Sequence, residues 1–192
     1  MATVTTTISS LLFGMLLPSL FLPTCGLTNA KTQAHFSKPA HMKLRQKVSH
    51  LHFFFHDVVS GRNATAMPVT DPVMPLPSSF GKTVMMDDLL TEGPEPTSKP
   101  VGRAQGMYAF AAQQELGLLM VMNLVFTEGK YNGSVLTVLG RNPVLHRVRE
   151  MPVVGGSGLF RFARGYAQAQ THWFNPNTGD AIVEYNAYVL HY

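Results

Sequence analysis

The feature that most limits what this chain can fold into is its punctuation. Short runs of strand-type residues at 48–59, 82–90, 102–113, 118–127, 134–139, 144–151, 160–171 and 181–192 are separated by turn chemistry, and no stretch carries a helix-length pattern. Eight strands are therefore expected. Residues 128–133 (Glu-Gly-Lys-Tyr-Asn-Gly) read as a hairpin turn, 154–158 (Val-Gly-Gly-Ser-Gly) as a tight glycine-rich connection, and 175–180 (Asn-Pro-Asn-Thr-Gly-Asp) as another turn. Two longer connections, 60–79 and 91–100, are stiffened by Pro68, Pro72, Pro75 and Pro77 and by Pro94, Pro96 and Pro100, which keeps them out of any central strand and suits them to rim a pocket. An all-β chain joined mostly by hairpins has two economical solutions, a sandwich or a barrel, and only the barrel removes every edge strand. The expected fold is an eight-stranded antiparallel up-and-down β-barrel with an apolar central cavity.

Alternation then assigns faces. On the first strand it puts Leu51, Phe53, Phe55 and Asp57 on one side and His50, His52, Phe54 and His56 on the other, so a carboxylate shares the apolar face. On the third, Ala104, Gly106, Tyr108 and Phe110 share a face, small residues followed by aromatics, which leaves space inside a barrel. The fourth run, 118–126, is apolar on both sides, and a single-layer barrel in water tolerates that only if the outer face meets another subunit. A homo-oligomer is expected on that ground.

The chain has 192 residues, which fits one domain plus a removable segment. No charged side chain precedes Lys31, and the apolar stretch 11–22 reads as the core of a secretory signal peptide covering residues 1–30, too short and too proline-interrupted at Pro18 for a membrane anchor. Residues 31–47 then form a polar arm, and 48–192 the barrel domain. Cys25, the single cysteine, falls inside the removed segment. Secretion also makes sense of two N-glycosylation triplets, at Asn63 and Asn132, both in turn-like contexts. The net charge of +4 comes without a basic cluster beyond the scattered Lys43, Arg45 and Lys47, so a nucleic-acid partner is not expected.

Chemistry-bearing constellations are sparse. His50, His52 and His56 share a strand face, but Phe54 interrupts them and no acidic or cysteine partner completes a metal site, so no metal is expected. Gly156-Ser157-Gly158 lacks the strand-to-helix setting of a serine nucleophile, and no helix follows it to receive a phosphate. What remains is a small polar set in an aromatic container: Asp57, Tyr108, Arg149, Arg164 and Asn142. Two readings stay open for it. Asp57 is either a desolvated general acid or base beside groups that orient a phenolic substrate, or one half of an internal ion pair with Arg149.

Five ordered motifs give the chain a resemblance to the plant dirigent family over nearly all of its length after the signal peptide. They are Phe53-Phe54-Phe55-His56-Asp57; Val101-Gly102-Arg103-Ala104-Gln105-Gly106-Met107-Tyr108; Phe126-Thr127-Glu128-Gly129-Lys130-Tyr131-Asn132-Gly133-Ser134; 148–158; and Phe160-Arg161-Phe162-Ala163-Arg164-Gly165-Tyr166. The resemblance implies a barrel, usually trimeric, secreted to the plant cell wall, that binds phenolic intermediates and dictates their stereochemistry without a cofactor. It implies an external laccase or peroxidase as the source of phenoxy radicals in lignan-type coupling.

Residue by residue, Asp57 matches a family acid, Tyr108 a pocket tyrosine and Arg149 a pocket arginine, so the resemblance gives these three the catalytic roles. Phe53, Phe55, Phe110, Asn142 and Arg164 are expected to line the substrate pocket. Phe110 stands where lignan-forming members have a second tyrosine, and Asn142 where they have an aspartate. Those departures place the chain nearer the large set of dirigent-like members whose substrates are mostly unassigned, and a branch of similar proteins closes pterocarpan rings by dehydrating a hydroxyisoflavan, where a single carboxylic acid suffices to assist water departure. Three functions follow as expectations: stereoselective radical coupling, a pterocarpan-type dehydratase, or a non-catalytic carrier of phenols in the cell wall.

Overall fold

The computed structural model describes residues 43–192. Residues 1–30, read above as a signal peptide that includes Cys25, and most of 31–47 lie outside the described residues.

Nine strands form one antiparallel sheet: β1 (Lys47–Asp57), β2 (Ala66–Thr70), β3 (Thr83–Thr91), β4 (Pro100–Phe110), β5 (Gly117–Phe126), β6 (Val135–Pro143), β7 (Arg149–Ser157), β8 (Arg164–Phe174) and β9 (Ala181–His191). Their order is β1-β9-β8-β7-β6-β5-β4-β3-β2, and β1 pairs again with β3. That second pairing, Phe54↔Thr91 to His56↔Leu89, closes eight strands into a barrel, as the eight-run pattern requires. β1 and β9 pair along their whole length, from Lys47↔His191 to Asp57↔Ala181.

The additional strand is β2, inside the connection expected to be loop. It pairs only with β3, and the register slips between Pro68 and Thr70. Proline lacks an N–H to donate to a ladder, so this segment sits at an edge and stays short.

β7 departs from the expected 144–151. It begins at Arg149 and runs through the glycine-rich stretch to Ser157. Gly156 serves close approach: a Cβ there would stand 2.5 Å from the Val135 carbonyl oxygen and 2.8 Å from the Phe160 Cβ. The register shifts between Thr137 and Val138, so the strand bulges there without ending. The true β6–β7 connection is 144–148, where His146 donates its backbone N–H to the Pro143 carbonyl.

Inward rows make the core. They include Leu51, Phe53 and Phe55 of β1, Val84, Met86, Asp88 and Leu90 of β3, Met120, Met122 and Leu124 of β5, and Val183, Tyr185, Ala187 and Val189 of β9. β8 contributes only Ala167 and Ala169 to the buried core, which gives the large rings opposite them room. One end of the barrel is plugged by aromatics: Phe160 stacks on Tyr131 at 4.9 Å and packs against Phe126 at 5.8 Å and His191 at 5.1 Å. The other end is hollow.

Candidate functional site

The hollow end holds a cavity of about 720 Å³, a size that encloses small organic ligands. Its walls are strand ends: Phe55 and Asp57 of β1, Val84 of β3, Tyr108 and Phe110 of β4, Leu118 and Met120 of β5, Asn142 of β6, Arg149 of β7, Thr171 of β8, and Val183 and Tyr185 of β9. Rim residues 144–147 and Thr178–Gly179 complete the mouth, with Pro68 of β2.

Its polar groups fall on two walls. β1, β3 and β4 are neighbours and carry Asp57 and Tyr108; β6, β7 and β8 carry Asn142, Arg149 and Thr171, with Arg149 three strands from both β1 and β4 around the barrel. Tyr108 donates a long hydrogen bond, 3.5 Å, from Oη to Asp57 Oδ1. Burial pushes the Asp57 carboxyl up to about 6; the Tyr108 bond opposes this and the charge of Asp180 adds to it. Burial likewise drives the Tyr108 phenol well above its ordinary range, so it stays a neutral donor.

On the facing wall Arg149 is buried. Its Nε–H donates to Asn142 Oδ1 at 3.0 Å and its Nη1 to Thr171 Oγ1 at 2.9 Å. Both acceptors are neutral, so no carboxylate compensates this guanidinium, and burial pulls its pKa down. Among the described residues the ion pairs are His52–Glu184, Lys99–Glu92, Arg103–Asp87 and Arg141–Glu115, and none joins Asp57 to Arg149. The ion-pair reading of those two residues is thereby set aside. Three of the five guanidinium N–H donors make no hydrogen bond among the described residues, and Arg149 lines a cavity that can take an acceptor.

Two residues expected in the pocket lie elsewhere. Phe53 is 1% exposed and sits below the cavity, stacked on Tyr185 at 5.6 Å and edge-on to Phe126 at 6.4 Å. It supports the floor without lining it. Arg164 opens β8 at the plugged end, paired with Leu190, and shares the outward parity of Tyr166 and Gln168, opposite to buried Ala167 and Ala169. The face of a strand residue is fixed by its parity, and proximity in sequence to a pocket motif does not override that.

The histidines are separately engaged. His50 hydrogen-bonds Asn186, His52 pairs with Glu184, and buried His56 reaches Thr91 Oγ1 at 2.7 Å. Asn63 and Asn132 are both exposed, in the β1–β2 connection and in the turn after Gly129–Tyr131.

Sequence reasoning missed four contributors. Tyr185 and Thr171 line the cavity. Asp180 clamps the rim, accepting from Val59 N, Ser60 N, Ser60 Oγ and Thr178 Oγ1. Asp88 is a fully buried acid whose carboxyl is raised to about 8, chiefly by burial and next by the charge of Asp57. Alternation of Val84, Met86, Asp88 and Leu90 could have found it.

A closed antiparallel barrel with an acid, a tyrosine and an uncompensated arginine at its hollow end defines a small-molecule-binding barrel of the dirigent type. Residues 48–190 match the Dirigent-like protein family, and the chain belongs to it. It is 56% identical over 147 residues to dirigent protein 21 of Arabidopsis thaliana, covering 76% of this chain and 78% of that one. It is 51% identical over 150 residues to pterocarpan synthase 1 of Glycyrrhiza echinata, covering 77% and 80%. The solved structure of the pterocarpan synthase dirigent protein GePTS1 superposes with a TM-score of 0.74 at 50% identity, over 79% of this chain and 89% of that one. The family and these relatives support a dirigent-type role in phenolic coupling or dehydration.

Proposed function

We propose that the cavity takes a phenolic substrate through a quinone methide, with Asp57 as the acid that removes a hydroxyl as water. One observation carries this reading: a carboxyl poised near neutrality and an uncompensated guanidinium occupy opposite walls of one apolar cavity. In a hydroxyisoflavan the departing benzylic hydroxyl and the phenol that becomes the quinone carbonyl also lie at opposite ends of a ring. Asp57 gives its proton to the leaving oxygen, the C–O bond breaks, and the phenol gives its proton to solvent water at the open mouth as the methide forms, to recover one from that water on ring closure. Arg149, with Tyr108 on the other wall, orients and polarises the oxygens. The second ring's hydroxyl then attacks the methide carbon, its proton returns to Asp57, and the phenol is reprotonated. The net change is loss of one water.

Asn142 supports elimination over deprotonation of a dimeric intermediate, because an amide beside Arg149 supplies no second base. The cavity volume keeps a second reading, stereoselective pairing of two phenoxy radicals delivered by an external laccase or peroxidase, since it has room for two single-ring phenols. The test is water loss from a racemic hydroxyisoflavan bearing a free phenol on each aromatic ring, with and without the protein, the product enantiomers being separated.

Secretion to the cell wall, glycosylation at Asn63 and Asn132, and a homotrimer belong to the same proposal. The outer face supports assembly. The registers align Met85, Met107, Val121 and Leu139 in one row across β3 to β6, and Met85, Met107 and Leu139 are exposed. A charge placed there, Val121→Glu, is expected to convert a trimer to monomers in sedimentation velocity at micromolar concentration. A wild-type chain that is already monomeric contradicts the proposal.

A further inference from the structure

Asp88 lies behind the cavity wall, outside its lining, yet beside its acid. β1 and β3 pair through Phe54↔Thr91, Phe55↔Leu90 and His56↔Leu89, and one further step of that register sets Asp88 opposite Asp57. This is the fork at which β1 leaves β3 and β2 takes its place. Asp88 has no exposure, its Oδ1 accepts from Thr65 Oγ1, and its Oδ2 has no hydrogen-bond partner among the described residues. A buried ionised carboxylate with one oxygen unpartnered is strongly disfavoured; a protonated one instead needs an acceptor for its O–H. The acid nearest to it by that register is Asp57, whose charge acts on Asp88.

The geometry points to Asp88 as a proton-storing, positioning residue for Asp57: the two carboxyls share one proton at neutral pH, held on Asp88 and passed to Asp57 when Asp57 acts as an acid. This rests on the acid role proposed above for Asp57. The step balances, because the proton leaves Asp88 Oδ2 for Asp57, goes on to the departing hydroxyl, and is restored to the pair by the attacking phenol on ring closure. No electrons are exchanged with any other group.

Asp57 ionises first, near 6, and Asp88 next, near 8, so the pair carries one proton between those values and none above them. His56, next to Asp57 on β1 and hydrogen-bonded to Thr91 of β3, is pulled below its ordinary range by burial. Tyr108 of β4 and Tyr185 of β9 stay neutral, both raised by burial. Arg103 on the outer face of β4 and Asp87 on the outer face of β3 oppose one another in their effect on Asp88. Asp180, its carboxyl lowered by hydrogen bonds, is ionised throughout and raises Asp57. Lys82, His146, Arg147 and Arg149 line the cavity beside them, and burial lowers Arg149.

The test begins with carbon-13 NMR of aspartate carboxyls in the full protein, titrated from about pH 4 to about pH 10. In the wild type Asp88 should titrate last, and the Asp57 resonance should move a second time at the Asp88 midpoint. In Asp57→Asn the Asp88 midpoint should fall by roughly one unit or more, because the like charge is gone. An Asp88 midpoint indifferent to Asp57→Asn overturns the inference. In the second arm, Asp88→Asn is expected to move the alkaline limb of hydroxyisoflavan dehydration down toward the Asp57 value, leaving about one tenth or less of the wild-type rate at pH 8 when each is normalised to its acid plateau. A lower rate with an unshifted limb marks a purely structural role and overturns it. If the wild type does not dehydrate the isoflavan at all, the proposed function fails, and the NMR arm still decides the carboxyl pair. That arm needs only the wild type and Asp57→Asn, so it survives any folding defect in Asp88→Asn.

Discussion

Asp57→Asn is expected to reduce dehydration or stereocontrol by roughly 10²-fold or more while leaving the fold and ligand binding nearly intact. The amide is isosteric with the carboxyl and still accepts the Tyr108 hydroxyl, whose bond at 3.5 Å is too long to anchor the strand. What it loses is the proton. Asp57 stands at the end of β1, half-buried on a wall of Phe55, Tyr108 and Val183, with its carboxyl raised to about 6. It therefore retains a usable protonated fraction near neutrality, where an ordinary carboxyl retains almost none. Steady-state rates of the purified variant, with its oligomeric state and melting temperature measured alongside, decide the matter. Full activity in a correctly assembled Asp57→Asn protein would return the residue to a structural role.

Phe53→Ala should be the most damaging change to the fold among the residues first assigned to the pocket, lowering unfolding free energy by about 3–5 kcal/mol. Its ring stacks on Tyr185 and meets Phe126 edge-on, and both neighbours lose a packing partner when it is removed. Equilibrium urea unfolding measures the loss. A change below about 1 kcal/mol would mean that Tyr185 and Phe126 close over the gap and that Phe53 does not support the cavity floor.

Those two residues show what was legible in the sequence. Alternation placed Leu51, Phe53, Phe55 and Asp57 on one face, and the face is inward, but period-two patterning gives no depth along the barrel axis. Phe55 lines the cavity while Phe53, one step deeper, is core. Arg164 sits at the wrong end on the wrong face, a parity visible in Ala167 and Ala169 once β8 is framed correctly. β7 was displaced because glycines signal both turns and close backbone approach, and only the packing of Gly156 against Val135 and Phe160 distinguishes the two. β2 was hidden by its proline. Asp88 follows Asp87, whose exposed carboxylate pairs with Arg103, and which of two adjacent aspartates in the 82–90 run faces inward is settled only when the buried row of β3 is traced. The absence of a carboxylate beside Arg149 was readable from Asn142 only through the family resemblance; its consequence, an uncompensated cation across the cavity from Asp57, required the strand order.

The central claim is that this cavity imposes one handedness on a phenolic quinone methide, and chiral chromatography of the product tests it most directly. Racemic hydroxyisoflavan incubated with the protein should lose water faster than the uncatalysed reaction and give one product enantiomer in excess, with the enantiomers of the substrate consumed at unequal rates. A racemic product formed at the background rate would contradict the account.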